Sequence, residues 1–443
     1  MRLLGLKTFR HGIHPPEAKD ATKGLAIQQF PFAPRLVVPL AQHIGNPSVP
    51  TVRPGEEVRR GQVIARPEGH LSVAMHAPAT GVVRDIALTP TILGRMCLAV
   101  HIEPYAASTQ EATTGTPCPL DAAPEEILHA VQEAGVVGLG GAAFPTHAKL
   151  TVPEGKPVDT LVVNGAECEP YLTTDHRVML EQSDDLFVGI RYVLRATGAE
   201  RAVIGVESNK EDAAALLRDR LPADLPVSVE VLRVKYPQGA EKMLITALLG
   251  REIPSRHLPI DVGAMCINVA TTAEIGRLLP LGSGVHERVI TIGGPAVRRK
   301  GNYRIPIGTP LRFLLDTVGV DTSVARVFLG GPMMGNAASS LDIVVTKGTS
   351  GVTAFTDIEA EWAHRRVFPC IGCGYGVDAC PVFLNPAGLE RLAGAGRYAA
   401  MRANHALMDC IECGSCSFVC PSHIPLVQHF RVAKAAVRKA DAA

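Results

Sequence analysis

Apolar and polar residues alternate over short runs between residues 35 and 103, with glycines between the runs. The clearest are Val52-Arg-Pro-Gly55-Glu-Glu-Val58-Arg-Arg-Gly61-Gln-Val-Ile64 and His76-Ala-Pro-Ala-Thr-Gly81-Val-Val83. Period-two alternation turns one face of a strand toward a core, and glycine supplies the positive φ of tight β-turns. A polar, Thr- and Pro-rich segment, Ala106–Pro124, reads as a linker. Beyond it the period lengthens. Glu125–Ala134, Asp184–Ala196 and Lys210–Leu221 read as helices, and Thr160–Val163, Ala202–Val206 and Val227–Val234 as strands. Such alternation predicts a mostly parallel sheet with helices on both faces. Residues 288–346 return to β texture in Arg288–Gly294 and Tyr303–Thr309, and Trp362–Ala443 reads as helical and rich in cysteine.

A chain of 443 residues exceeds one core, since cores stop growing at about 250–300 residues; three or four domains are expected. With 44 basic against 43 acidic residues the net charge is +1, without the basic excess of a nucleic-acid binder. No apolar run approaches the ~20 residues that span a bilayer; Leu186–Leu194 is broken by Arg191 and reads as core helix. Met1–Phe9 lacks the apolar region and cleavage site of a secretory signal. The expectation is a cytoplasmic protein resting on a membrane complex. The mildly basic Val427–Lys439 reads as a solvated helix face.

Seven of the eleven cysteines fall between Cys370 and Cys420, while Cys97, Cys118, Cys168 and Cys266 are scattered and read as core. Clustering in a chain without export signals indicates metal ligation, not disulfides. Cys370-Ile-Gly-Cys373-Gly-Tyr-Gly376-Val-Asp-Ala-Cys380-Pro381 repeats forty residues later as Cys410-Ile-Glu-Cys413-Gly-Ser-Cys416-Ser-Phe-Val-Cys420-Pro421, with six of twelve positions identical. The second run is the complete C-x2-C-x2-C-x3-C-P pattern of iron–sulfur proteins. Zinc would use paired C-x2-C units and leave the third and fourth cysteines unexplained. In two-cluster ferredoxins the fourth cysteine of each run ligates the other cluster. By that rule Cys410, Cys413 and Cys416 with Cys380 hold one [4Fe–4S] cluster. Cys370, Cys373 and Cys420 hold the other, whose fourth ligand falls on Gly376, a residue with no side chain. A three-iron cluster, an open iron corner and a labile site all remain open.

Gly138-Leu-Gly140-Gly141-Ala-Ala-Phe144-Pro-Thr-His-Ala-Lys149 is a second candidate site. Residues without bulky side chains let backbone N–H groups approach a phosphate, and Lys149 adds positive charge. A helix precedes the glycines where a dinucleotide fingerprint needs a strand. Asn164-Gly-Ala-Glu167-Cys168-Glu169-Pro170 follows the strand Leu161–Val163, at a carboxyl end where α/β sheets bind ligands. His147 and His176 lie close to the site and read as surface or capping residues.

These stretches resemble the NADH-oxidising flavoprotein subunit of respiratory complex I. The resemblance implies that Gly138, Gly140, Gly141 and Lys149 contact FMN, with Asn164 and Glu167 on its ring and ribityl chain. Phe144 would stack on the nicotinamide nucleotide and Glu169 hold ribose hydroxyls. Tyr236-Pro-Gln-Gly239-Ala-Glu241 and Ile267-Asn268-Val-Ala-Thr271 match later parts of the same site, so Tyr236, Glu241, Asn268 and Thr271 join it. Ala166 stands where the complex I pattern is acidic, so one FMN contact differs.

His14-Pro-Pro-Glu17, the β-segment near Arg288–Leu311 and Cys420-Pro-Ser-His-Ile-Pro-Leu-Val427 extend a colinear match over Phe9–Lys434. Over that span the chain resembles the RnfC family of the Rnf ion-translocating ferredoxin:NAD oxidoreductases. The implied fold is multidomain α/β. An N-terminal β barrel-sandwich hybrid covers 1–110 and a Rossmann-like FMN/NADH domain 121–285. A β-grasp (SLBB-like) domain covers 286–350 and a helical two-cluster ferredoxin-like domain 360–443. The barrel-sandwich fold is shared with biotinyl and lipoyl carriers, but Ala74-Met75-His76-Ala77 lacks their lysine and so any covalent arm. Implied cofactors are FMN, NAD(H) and two iron–sulfur clusters. Implied partners are membrane and ferredoxin-like Rnf subunits, with ferredoxin or flavodoxin reached indirectly, at the cytoplasmic face. Hydride passes directly between rings, so no catalytic acid or base is expected. A soluble relative such as a microcompartment cobalamin reductase is the alternative. The NqrA subunit of the Na⁺-pumping quinone reductase lacks the paired cysteine runs, and a scaffold without flavin would not need the glycine loop.

Overall fold

In the computed structural model, which describes residues 5–92, 94–321, 323–357 and 365–441, the early alternation becomes two antiparallel sheets. Leu36–Pro39, Met96–Pro104, Gly81–Pro90 and Glu57–Val58 form one, and Val49–Pro50, Val63–Arg66 and Met75–His76 the other. Val38, Val58, Ile64, Val83 and Ile102 share one core. Gly55 and Gly61 have φ of +87° and +84°, as tight turns require. Gly81 serves differently. It lies within a strand, where a Cβ would sit 2.1 Å from the Glu103 carbonyl oxygen, so its bareness permits close approach. Residues 106–123 carry no helix or strand and are tied down by Thr113 N–H to Arg60 O (2.8 Å) and Cys118 N–H to Leu279 O (2.9 Å).

The central sheet is wholly parallel, in the order Val227–Leu232, Arg201–Glu207, Thr160–Gly165, Ala264–Asn268. Successive side chains on its strands point to opposite faces. Leu161, Val163, Ile204 and Val206 therefore pack with helices Pro124–Glu133, Ser183–Thr197 and Val269–Leu278. Val162, Val203 and Cys266 face the other way, onto helix Glu241–Leu249. Ala264–Asn268 is a strand that the sequence pattern does not announce, because it runs straight into a helix with no turn between. Helices Ser183–Thr197 and Val269–Leu278 approach through glycines: a Cβ at Gly189 would lie 1.8 Å from Thr272 O, and one at Gly276 1.9 Å from Asp185 O.

A six-stranded mixed sheet follows, in the order Ile27–Gln29, Gly301–Pro306, Glu287–Gly293, Gly351–Thr356, Val324–Leu329, Asn336–Ala337. It draws in strands on both sides of the expected 286–350 segment. Helix Leu311–Val318 packs on it through Leu311, Leu314, Leu315 and Val318. The described part of the cysteine-rich region comprises helices Tyr375–Ala379, Pro386–Gly394, Tyr398–His405, Ser415–Phe418 and Leu426–Asp441 around Leu389, Met401 and Phe430. Trp362, where helix was expected to begin, lies outside the described residues. No helix among the described residues is long and apolar enough to cross a membrane.

Residues 5–29 form an arm across three of these units. Lys7 bridges to Leu232 beside the parallel sheet, and Ile13 pairs with Tyr236. Gly12 N–H reaches Ala379 O at 3.2 Å in the cysteine-rich region, and Ile27–Gln29 completes the edge of the mixed sheet.

Candidate functional site

Reversal of strand order around Thr160–Gly165 creates a switch point between it and Ala264–Asn268, the place where parallel sheets open a crevice. Asn164 and Asn268 are register partners there, at the carboxyl ends of the two strands. The glycine loop lies directly over them. Gly138 N–H bonds to Phe144 O (2.9 Å) and Ala143 N–H returns to Gly138 O (3.0 Å), closing the loop on itself. A Cβ at Gly140 would stand 3.4 Å from Asn268 Nδ2, while Gly141, at φ +106°, faces open space. Leu139 N–H donates to Thr271 Oγ1 (2.9 Å), and Asn268 Oδ1 caps the helix Val269–Leu278 by accepting from Thr271 N–H at 3.2 Å. Arg288, buried, donates to Leu139 O at 3.0 Å. The result is an exposed run of small residues above a capped helix N-terminus.

Lys149, on the short helix Thr146–Leu150 that follows the glycine loop, forms an ion pair with Glu241. Burial alone would lower its ammonium pKa, but Glu241 and Cys266 outweigh that and leave it above its ordinary value. The open glycines, amide caps and lysine fit the demands of a flavin phosphate. Asn164 spends its amide on Gly239 O (2.8 Å) and accepts from Ala166 N–H (3.1 Å), so it shapes the loop.

Two expected contacts are engaged elsewhere. Glu167 is buried, and its carboxylate accepts from Asp175 N–H (2.9 Å) and His176 N–H (3.5 Å) at the start of helix Thr174–Glu181. Helix capping, not a turn toward ring or ribityl groups, uses those oxygens. Tyr236 is 1% exposed, and its hydroxyl donates to Cys413 O at 2.6 Å. It joins the flavin-side loop to a cysteine run. Glu169 Oε1 accepts from Met333 N–H (2.7 Å) and Met334 N–H (3.2 Å). Burial raises its pKa against those amides and Lys19. Phe144 is half-buried at the end of the glycine loop.

Beneath the loop lies a charge network that the motifs did not reveal. Lys210 and Glu207, each 1% exposed, pair at 3.0 Å. Lys19, from the arm, donates to Glu169 O at 2.9 Å. Asp175 accepts from Asn268 Nδ2 at 2.7 Å, and burial followed by the neighbouring Glu167 pushes its pKa up to about 7. Apart from the local pair Glu207–Lys210, these contacts join distant segments and fit no local spacing. His147 and His176 are buried, contrary to a surface role; their Nε2 atoms bond to His70 O and Asp212. Of the scattered cysteines, Cys266 is core and Cys168 is partly buried, its sulfur accepting from Gly239 N–H at 3.4 Å.

The cysteine runs have closely similar backbones. Helices Tyr375–Ala379 and Ser415–Phe418 each start from a left-handed glycine, Gly374 (φ +81°) and Gly414 (φ +80°). Each run then turns through a left-handed non-glycine, Phe383 (φ +58°) and His423 (φ +54°). Cys380 and Cys413 are buried, and Cys410 and Cys416 partly so. Burial, then Cys413, Cys410 and Cys380, push the Cys416 thiol up to about 12. These four are the set expected around the first cluster. Four crowded thiols that resist ionising alone suit a cationic cluster that neutralises them. Leu384 N–H and Glu412 N–H point at Cys380 and Cys410 sulfurs from 3.3 and 3.4 Å. Among the described residues no three His, Cys, Asp or Glu side chains converge on one ion; a four-iron cube needs its thiolates set wider apart. Cys370 and Cys373 are exposed and Cys420 half-buried. The final helix, expected as a solvated face, buries Phe430 and Lys434, and Lys434 pairs with Glu412 at 2.9 Å.

Residues 7–106 match the family described as the RnfC barrel sandwich hybrid domain, 131–277 the Nuo51 FMN-binding domain, and 369–425 the 4Fe-4S dicluster domain. The C subunit of a proton-translocating ferredoxin:NAD(+) oxidoreductase complex from Clostridium ljungdahlii is 39% identical over 98% of this chain and 95% of its own length. The Na(+)-translocating counterpart from Acetobacterium woodii is 39% identical over 96% of each chain. The C subunit of an ion-translocating oxidoreductase complex from Pseudomonas aeruginosa is 39% identical over 98% of this chain and 56% of its own. Among solved structures, an NAD+-reducing [NiFe]-hydrogenase in the H2-reduced state aligns over 74% of this chain and 68% of its own, with TM-score 0.51 and 21% identity. That last likeness is one of fold.

Proposed function

The chain belongs to the RnfC family of the ion-translocating ferredoxin:NAD⁺ oxidoreductase complexes, and from that premise we propose how its parts divide the work. It is an oxidoreductase subunit with FMN and iron–sulfur clusters, and the reading as a stand-alone reductase is not favoured by relatives that match nearly end to end. FMN, when bound, takes both electrons of a hydride and passes them singly to clusters that carry one each.

The glycine loop Gly138–Phe144 and Lys149 hold the flavin phosphate, with Asn268 and Thr271 fixing the loop from below and Glu241 holding Lys149 in place. Phe144 and Glu169 receive the nicotinamide nucleotide at the crevice mouth. Asn164 and Glu167 keep the strand-end loop in shape. Tyr236 holds the run of Cys413 against the flavin side, where Cys380, Cys410, Cys413 and Cys416 would hold a cluster able to accept single electrons. Cys370, Cys373 and Cys420, the more exposed set, would hold the second, on the side facing solvent and partners.

The barrel-sandwich, Rossmann-like, β-grasp and ferredoxin-like units correspond to residues 1–110, 121–285, 286–350 and 360–443, with the arm and Gly351–Thr356 exchanged between them. The chain docks peripherally on the cytoplasmic side, against membrane and ferredoxin-like subunits that carry out ion movement and reach ferredoxin.

The carrying observation is the glycine loop seated on Asn268 at the switch point, with the Tyr236 hydroxyl bonded to Cys413 O beside it in support. Anaerobic NADH titration of the purified chain, followed by absorbance and low-temperature EPR, tests it. Flavin bleaching followed by reduced-cluster signals is expected. A chain that binds no flavin under conditions that retain it overturns the reading.

A further inference from the structure

Two closely similar frames present different side chains at their third ligand position. Cys416 stands two residues beyond Gly414 in the helix Ser415–Phe418, and Gly376 two residues beyond Gly374 in the helix Tyr375–Ala379. The backbone that aims a ligand is therefore intact at 376, and only the thiol is missing.

Nothing in the local geometry asks for glycine there. Gly372 and Gly374 have φ of +67° and +81°, which glycine tolerates best, whereas Gly376 is helical. A Cβ at 376 would meet Pro386 Cβ and Cγ at 3.5 Å and Cys416 Cβ at 3.7 Å, which are ordinary contacts. Neither strain nor crowding is relieved by the bare position. What it changes is ligand count.

The remaining ligands of that site differ in setting from their counterparts. Cys370 and Cys373 are exposed, where Cys413 is buried and Cys410 partly buried. Water reaches this side of the module. Resting on the two-cluster reading above, we propose that Cys370, Cys373 and Cys420 hold a [4Fe–4S] cluster by three thiolates, leaving the iron nearest position 376 to an exchangeable hydroxide from solvent.

An iron without a protein thiolate is the one lost on oxidation. The core [4Fe–4S]²⁺ gives one electron to ferricyanide and one ferrous ion to solution, leaving [3Fe–4S]⁺. The chain, reconstituted anaerobically, is therefore treated with ferricyanide and examined by EPR and by iron and sulfide analysis. Wild type and Gly376→Ala should both give a three-iron signal of about one spin per chain, with iron falling from about eight to seven. Added ferrous iron and a reductant should reverse it. Gly376→Cys should cut the signal at least about tenfold, because the thiolate closes the corner. Gly376→Ala adds the same Cβ without sulfur and separates ligation from packing.

Retention of all the iron by wild type, with no three-iron signal, would overturn the proposal by showing that another group fills the corner. So would loading of one cluster only, with the Cys380–Cys416 site still intact. Failure to bind any iron or sulfide would instead defeat the two-cluster reading itself.

Discussion

Replacing Tyr236 by phenylalanine separates two roles that the sequence could not. The ring is buried and its hydroxyl donates to Cys413 O over 2.6 Å. Phenylalanine keeps the packing but leaves a buried carbonyl without that partner, which costs about 1–3 kcal/mol. At 1.36 kcal/mol per factor of ten, the loop bearing Cys413 should open about 5- to 150-fold more often. Hydrogen exchange of the amides between residues 410 and 420 reads this directly, provided that they exchange by local opening. Stopped-flow absorbance then reads the consequence: NADH should bleach the flavin at the wild-type rate, while cluster reduction lags. Unchanged exchange in 410–420 would refute the reasoning. So would an equal slowing of flavin bleaching, which would return Tyr236 to the nucleotide site.

Lys149→Met should weaken FMN binding about 5- to 150-fold, through loss of a charged phosphate contact worth about 1–3 kcal/mol. Its pair with Glu241 is about one-third exposed on each side, so stability should fall by no more than ~1 kcal/mol; flavin fluorescence and thermal melting measure the two. Gly276→Ala forces a methyl to within 1.9 Å of Asp185 O, and overpacking of this kind costs about 1–3 kcal/mol or more. Because that helix carries Thr271 behind its Asn268 cap, flavin retention in the purified variant should fall together with the melting temperature. Asp175→Asn probes pH. A carboxyl raised to about 7 in the fold stabilises it fully below its ordinary value near 4, and that contribution is lost as pH rises through about 7. The variant should therefore gain more melting temperature over wild type at about pH 8 than at about pH 5, and an equal gain at both would refute the assignment.

Local chemistry made much of this legible. The glycine loop, Asn164, Asn268 and the cysteine runs each announced themselves by residues that a core has no use for. The strands Thr160–Gly165 and Arg201–Glu207 were marked by unbroken apolar runs with helical stretches beyond them. Ala264–Asn268 was not, since nothing punctuates its passage into a helix. Glu167 and Tyr236 were legible as members of a motif but not in their direction. A carboxylate beside helix amides and a hydroxyl beside a carbonyl follow partners that only the fold supplies. Lys19 could not have been placed at all. Its partner Glu169 stands 150 residues away, and a single lysine in a loop carries no spacing.

The arm formed by residues 5–29 has a consequence for the order of synthesis. Chains emerge from the ribosome amino end first, at about 5–20 residues per second. Gly12 and His11 meet Ala379 and Asp378, some 367 positions later, and Ile27–Gln29 waits for Asn302–Arg304. This early segment is thus among the last to find its place. Thr271, which holds the glycine loop, is made 108 positions before Ala379, so the crevice stands formed but unstrapped for about 5–20 seconds, an interval in which flavin can enter ahead of the clusters. Closure of the arm then marks a chain made at least as far as Ala379.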